Sequence, residues 1–165
     1  MAARGVHFAI TEDELSALLA CDGDAARLDY LQEEIEERLF HEAPDRVCES
    51  DKAWDAIHRA LTDGTLEVQV GTAALAVLGG RHLYQADDYL MVLKSPAQVS
   101  QVADHLDELS EKDFRTAYDA IPAREYDGLL GDEDFDYTWS NFEDLRDFYD
   151  RASERGLHVL FTVDQ

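Results

Sequence analysis

The sequence predicts an α+β chain in which several helices pack on a small mixed or antiparallel sheet. Two observations carry that class. Apolar residues recur at helical spacing in about six segments, and short apolar runs between them mark three to five strands. The two kinds of segment do not alternate as regular βαβ units, which argues against a doubly wound parallel sheet. The 165 residues, 45% hydrophobic and 10% aromatic, suffice for one core, so a single domain over residues 1–165 is expected. A chain this long buries roughly 70% of its unfolded surface.

The elements follow in order. Val6 to Ile10 reads as a strand. Thr11 with Glu14 forms a capping box, and Leu15, Leu18 and Leu19 line one face of the helix it opens. Asp22-Gly23-Asp24 stops that helix, and a second runs from Ala25 to Phe40 with Leu28, Leu31, Ile35 and Leu39 inward. Residues 42–49 read as a polar link. Ser50 or Asp51 caps a third helix carrying Trp54, Ile57, His58 and Leu61 at i, i+3, i+4 and i+7, and Gly64 ends it. Leu66, Val68 and Val70 alternate as in a strand. Residues 72–78 fit either helix or strand, and Gly79-Gly80 is a turn. Tyr89 to Leu93 is a strand. Ser95-Pro96 then opens a helix with Val99, Val102, Leu106 and Leu109 inside. Ser110 opens another with Phe114, Tyr118 and Ile121 inside, halted by Pro122. Residues 124–138 read as a loop rich in Gly and Asp. Ser140 with Glu143 is a second capping box, opening a helix that carries Phe142, Leu145, Tyr149 and Ala152. Leu157 to Val163 is the clearest strand.

The formal net charge is −23, and the acidity is spread along the chain: 19 acidic against 8 basic residues in 1–100, and 18 against 6 in 101–165. No basic footprint for a phosphate backbone exists, so direct nucleic-acid binding is not expected. An anionic membrane surface would repel such a chain, and no stretch reads as a membrane span or signal peptide. A basic protein or a cation would be attracted. Solubility, adaptation to high salt and mimicry of a nucleic acid each account for the charge. Cys21 and Cys48 show no CxxC spacing and fit a reducing cytoplasm, the expected location. Their acidic neighbours make both poor nucleophiles.

The run Asp51-Lys52-Ala53-Trp54-Asp55-Ala56-Ile57-His58-Arg59-Ala60-Leu61-Thr62 resembles the D-K-x-W-x-x-[LI]-H-x-x-L-T signature of the YfbM-like proteins, a bacterial family of unknown function. Ala76 to Gly80, Ser95 through Ser110, the Trp139 region and the closing apolar strand resemble further segments of that family, in the same order. The resemblance implies a single-domain α+β bacterial protein and no particular activity.

Three constellations bear on function. His58, with Asp55 three residues before it and Asp51 at the start of the same helix, has the makings of a catalytic acid–base pair, a carboxylate orienting an imidazole. The competing reading is a buried structural histidine beside a capping aspartate. Asp132, Asp134 and Asp136 take positions one, three and five of a calcium loop, with Glu143 at twelve. Tyr137 stands where that loop needs Gly, and Glu143 also serves the capping box. Third, Tyr137 and Trp139 flank the same carboxylates, and aromatic side chains among acids suit a basic protein partner. The alternative is that these rings fold inward.

The leading expectation is a non-enzymatic binding module for a basic protein partner, through Asp132, Asp134, Asp136, Tyr137 and Trp139. The alternative is a small-molecule-binding protein or small enzyme using His58 with Asp51 or Asp55. The third is a cation-binding loop at Asp132, Asp134, Asp136 and Glu143. No cofactor is expected beyond weak binding of divalent cations.

Overall fold

The computed structural model describes residues 3–67 and 69–164. Five strands, β1 (Arg4–Ile10), β2 (Val47–Asp51), β3 (Arg81–Gln85), β4 (Tyr89–Lys94) and β5 (His158–Asp164), form one sheet in the order β2-β1-β5-β4-β3. Every neighbouring pair is antiparallel. The closing strand of the chain is the central one. It pairs with β1 from Arg4↔Asp164 to Ile10↔His158, and with β4 from Tyr89↔Asp164 to Lys94↔Val159.

Alternation along the strands divides the core in two. Phe8, Ile10, Met91, Leu93 and Leu160 point to one face, against α1 (Glu12–Leu19) and a long helical stretch. That stretch consists of α2 (Asp24–Tyr30), a π-helical segment (Leu31–Glu36) and α3 (Glu37–Glu42). It presents Leu31, Ile35 and Leu39 as the sequence predicts. Ala9, Val159, Phe161 and Val163 point to the other face. There they meet α4 (Ala53–Leu61), α6 (Pro96–Asp107), α7 (Glu111–Asp119) and α8 (Asp132–Glu154). The capping boxes at Thr11/Glu14 and Ser95/Gln98 are both closed, and Ser110 caps α7.

Four features depart from the sequence reading. Residues 47–49 of the expected link, with Ser50 and Asp51, the expected caps of the next helix, form a strand, and that helix starts after Lys52 without a side-chain cap. β2 is a short edge strand whose inward residues are Cys48 and Ser50, so it lacks an apolar run. β3 is a second edge strand with Leu83 as its one buried residue. The third departure concerns Leu66 and Val70, which lie in irregular chain, while Val68 is outside the described residues. Finally, α8 begins at Asp132, eight residues before the expected cap, and runs for 23 residues. Its inner stripe, Phe135, Thr138, Phe142, Leu145, Tyr149 and Ala152, continues one spacing through Ser140. Burial of Phe135 and Thr138 outweighs the local capping signal. Residues 72–78 resolve into the short α5 (Thr72–Leu75) followed by a turn.

A buried polar cluster holds that turn. The carbonyl of Ala76 accepts from Tyr149 Oη at 2.7 Å and from His7 Nε2 at 2.8 Å. Lys94 Nζ donates to the carbonyl of Val77 at 2.5 Å. Both His7 and Lys94 are wholly buried. Burial, with Lys94 adding to it, pushes His7 down to about 3, and burial holds the Lys94 amine well below its ordinary range.

Candidate functional site

At Asp51 the chain leaves β2 with φ of 44°, the left-handed region that Asp tolerates better than most side chains. The turn sends the backbone directly into α4, so that Asp51, Lys52, Trp54 and Asp55 line one side of a cleft of about 560 Å³. Tyr126, Asp127 and Gly128 from the irregular chain after α7 line it too, as do Asp134 and Tyr137 from the first turns of α8. Asp134 and Tyr137 are three residues apart on α8 and therefore share a face, while Phe135 and Thr138 turn into the core. Ala3 and Leu66 complete the lining.

The polar groups of the cleft are bound to one another in one direction. Asp134 accepts from Tyr118 Oη at 2.6 Å and from Tyr126 Oη at 3.1 Å. Tyr137 Oη donates to Asp51 Oδ2 at 2.9 Å and accepts from the Lys52 amide at 3.3 Å. The Trp54 indole donates to the carbonyl of Ala3 at 2.9 Å. Asp55 Oδ1 accepts from Arg59 Nε at 2.6 Å. Nη1 and Nη2 of that buried guanidinium donate to the carbonyls of Gly64 and Glu125, at 3.1 and 2.9 Å. Thus the side-chain donors of Trp54, Tyr126 and Tyr137 are all spent within the protein, and among the described lining residues Lys52 brings the remaining side-chain donor. Four carboxylates, Asp51, Asp55, Asp127 and Asp134, face the same space. Outside it, the exposed Arg4 stands 3.6 Å from Asp51 Oδ1.

The protonation behaviour follows from that crowding. Burial raises the Asp55 carboxyl, the Arg59 guanidinium opposes it, and the negative charges of Asp127 and Asp134 add to the rise. Burial first, then Asp134, pushes the hydroxyls of Tyr118 and Tyr126 up; burial and Asp51 do the same to Tyr137. Each hydroxyl keeps its proton and remains a donor.

The residues expected to act together are redistributed. His58 is wholly buried and does not line the cleft: its Nε2 lies 3.5 Å from the carbonyl of Glu67, and Nδ1 has no partner among the described residues. Burial lowers its pKa, the behaviour of a neutral core imidazole. Asp51 and Asp55 do share the cleft, but the ring hydrogen-bonds to neither. Asp132 is exposed and paired with Arg115 at 2.9 Å, which also holds Asp119 at 2.9 Å. Asp136 is exposed and, two residues from Asp134 on a helix, faces away from it. Trp139 turns inward, 5.1 Å from Phe142 and 5.4 Å from Phe114 between ring centroids. Of the expected partner patch, therefore, Asp134 and Tyr137 reach the cleft.

The expected calcium loop is corrected outright, because Asp132, Asp134, Asp136 and Glu143 stand on a helix. Their side chains fan around its axis, and Glu143 lies beside Arg146 at 3.8 Å. Among the described residues no group of three or more His, Cys, Asp or Glu side chains gathers as a metal site would require. Sequence reasoning missed Lys52, Tyr126 and Asp127 as lining groups and placed Trp54 simply in the core. The signal it passed over was Gly131 followed by Asp132-Glu133-Asp134. A glycine and three acids mark a helix N-terminus as well as the later Ser140 box does.

Comparison with known proteins agrees with the fold. The family model described as "Domain of unknown function (DUF1877)" matches residues 1–162. The crystal structure of a protein of unknown function, YfbM from Escherichia coli, is similar with a TM-score of 0.70 and 22% identity. The likeness covers 97% of this chain and 99% of that one, and at this identity it speaks to the fold alone. No curated protein matches the sequence.

Proposed function

Because the chain belongs to the YfbM-like family of unknown function, DUF1877, its role has to be read from the site, and we propose that it is a non-enzymatic recognition module for a basic protein partner. The cleft between the start of α4 and the start of α8 takes a cationic group of that partner. One observation carries this reading: the cleft combines four carboxylates with three aromatic side chains whose own donors are spent inside the protein. Beside the single ammonium of Lys52, what it offers a ligand is four carboxylates and aromatic side chains without a free donor, a net negative lining that suits a cation. The net charge of −23 supports it by steering basic partners toward the surface. Binding rather than catalysis is favoured because His58 is buried and does not line the cleft. The setting we assign is cytoplasmic, in keeping with two free thiols. Among the described residues no helix is long and apolar enough to cross a membrane.

The test is calorimetric titration of the full chain with short blocked peptides of basic, neutral and acidic composition, at low and high salt. Basic peptides should bind, more weakly as salt rises. The double variant Asp51→Asn, Asp134→Asn should lose at least about tenfold in affinity while keeping its circular dichroism spectrum. Equal binding of neutral peptides, or an unchanged affinity in the double variant, would refute the reading.

A further inference from the structure

We infer that the group seated in the cleft is the guanidinium of an arginine side chain, presented by a partner segment that also carries an apolar residue. This deepens the preceding reading and rests on it. The first argument is hydrogen-bond accounting. The carboxylates come from two separate pieces of chain, Asp51 and Asp55 from the β2–α4 junction and Asp127 and Asp134 from the segment leading into α8. Oδ1 of Asp55 is committed to Arg59, Asp134 already accepts from two tyrosines, and Asp51 accepts from Tyr137 on Oδ2 with Arg4 3.6 Å from Oδ1, so the open lone pairs are few on each carboxylate and dispersed over both sides. A lysine ammonium is a compact, strongly hydrated charge with three donors. A guanidinium has five donors in a planar fork, enough to serve carboxylates on both sides at once, and it is more weakly hydrated. The second argument is the walls. Tyr126 and Tyr137 line the cleft beside the largely buried Trp54, and aromatic rings are what a planar guanidinium stacks on.

The fold already uses this mode next door. Arg59 lies buried with its fork divided among Asp55 and two carbonyl oxygens, so beside the cleft a guanidinium is already held by one carboxylate and dispersed acceptors. A third observation favours a protein segment over a free small cation. Leu129, next to the cleft-lining Gly128, is 91% exposed. A free guanidine would leave that side chain in water, whereas an apolar residue beside the arginine would bury apolar surface against it.

The experiment titrates the full chain with Ac-Gly-Arg-Leu-Gly-NH₂, its lysine and citrulline counterparts, and methylguanidinium. The arginine peptide should bind about tenfold more tightly than the lysine peptide, and citrulline, which keeps the shape without the charge, should not bind. Leu129→Ser, a change at an exposed position, should weaken the arginine peptide and leave methylguanidinium unchanged. Lysine binding as tightly as arginine would overturn the guanidinium assignment and leave the acidic-cleft reading standing. Methylguanidinium binding as tightly as the peptide, or no effect of Leu129→Ser, would overturn the protein-segment assignment alone. No binding by arginine or lysine would overturn both this inference and the reading beneath it.

Discussion

Glu14 ties the helices of one face to the strand that delivers Asp51 to the cleft. Its carboxylate closes the Thr11 capping box, accepting from the Thr11 amide at 2.9 Å. It also accepts from Arg38 Nη2 at 2.7 Å and is bonded to Arg46. Arg46 in turn donates to the carbonyl of Ala9 at 2.8 Å, which fixes the start of β2 against β1. Replacing Glu14 by Gln keeps an acceptor for the cap and removes the charge. A hydrogen bond to a charged group contributes about 1.5–3 kcal/mol. The Arg38 side chain is 42% exposed, so solvent screens its share, and the Arg46 side chain, 16% exposed, carries most of the effect. The expected loss at pH 7 is about 2 kcal/mol, or about 4–8 °C in melting temperature for a chain of this size.

The pH dependence of that gap has a definite sign. Burial works to raise the Glu14 carboxyl, but the hydrogen bonds from Thr11 and Arg46 outweigh it and hold the group below its usual value. A carboxyl depressed on folding contributes stability that is fully present above its unfolded pKa, near about 4.3, and is lost as pH falls through the folded value. Thermal melts of wild type and Glu14→Gln at pH 7 and at pH 3 should therefore show a gap that narrows in acid. A variant melting within about 1 °C of wild type at pH 7 would refute the argument. So would a gap of equal size at both pH values.

Two further outcomes follow from buried groups. Lys94 is depressed on folding, so the unfolded chain takes up a proton that the folded chain refuses, and stability falls as pH drops below about 10.4. Lys94→Met removes that dependence; urea unfolding should show the variant gaining on wild type as pH falls from 10 to 7, and parallel curves would contradict the assignment. Burial, followed by the charge of Asp144, pushes the Cys48 thiol up to about 12, while Cys21 is partly accessible. Alkylation of the native protein should therefore modify one thiol and of the unfolded protein two, as mass spectrometry would read; rapid native labelling of both would show that β2 is not held as described.

The interior was legible where one residue's periodicity decided its own position. The stripes of the Ser95 helix and of the stretch after Gly23, the Thr11/Glu14 capping box, the Ser95-Pro96 helix start and the terminal strand are local signals that burial then satisfies. Edge strands were not legible, because β2 and β3 draw their hydrogen bonds from neighbours and bury little of their own. The start of α8 was ambiguous: two valid helix-start signals, at Gly131 and Ser140, lay nine residues apart, and the choice fell to whether Phe135 and Thr138 find a core to enter.

The same division holds for the site. By itself the sequence determined the α+β class, the acidity and the family signature around Asp51 to Thr62, since these are properties of composition and local order. The tertiary structure decided which of those residues meet. It buried His58 without a hydrogen bond to either aspartate it seemed to serve, and laid the half-buried Trp139 against the core. It brought Asp134 and Tyr137 across more than eighty residues of chain to Asp51, where a hydroxyl and a carboxylate close at 2.9 Å. A spacing along the chain fixes which side chains share a helix face, but only the packing of α4 against α8 fixes which faces look into the same space.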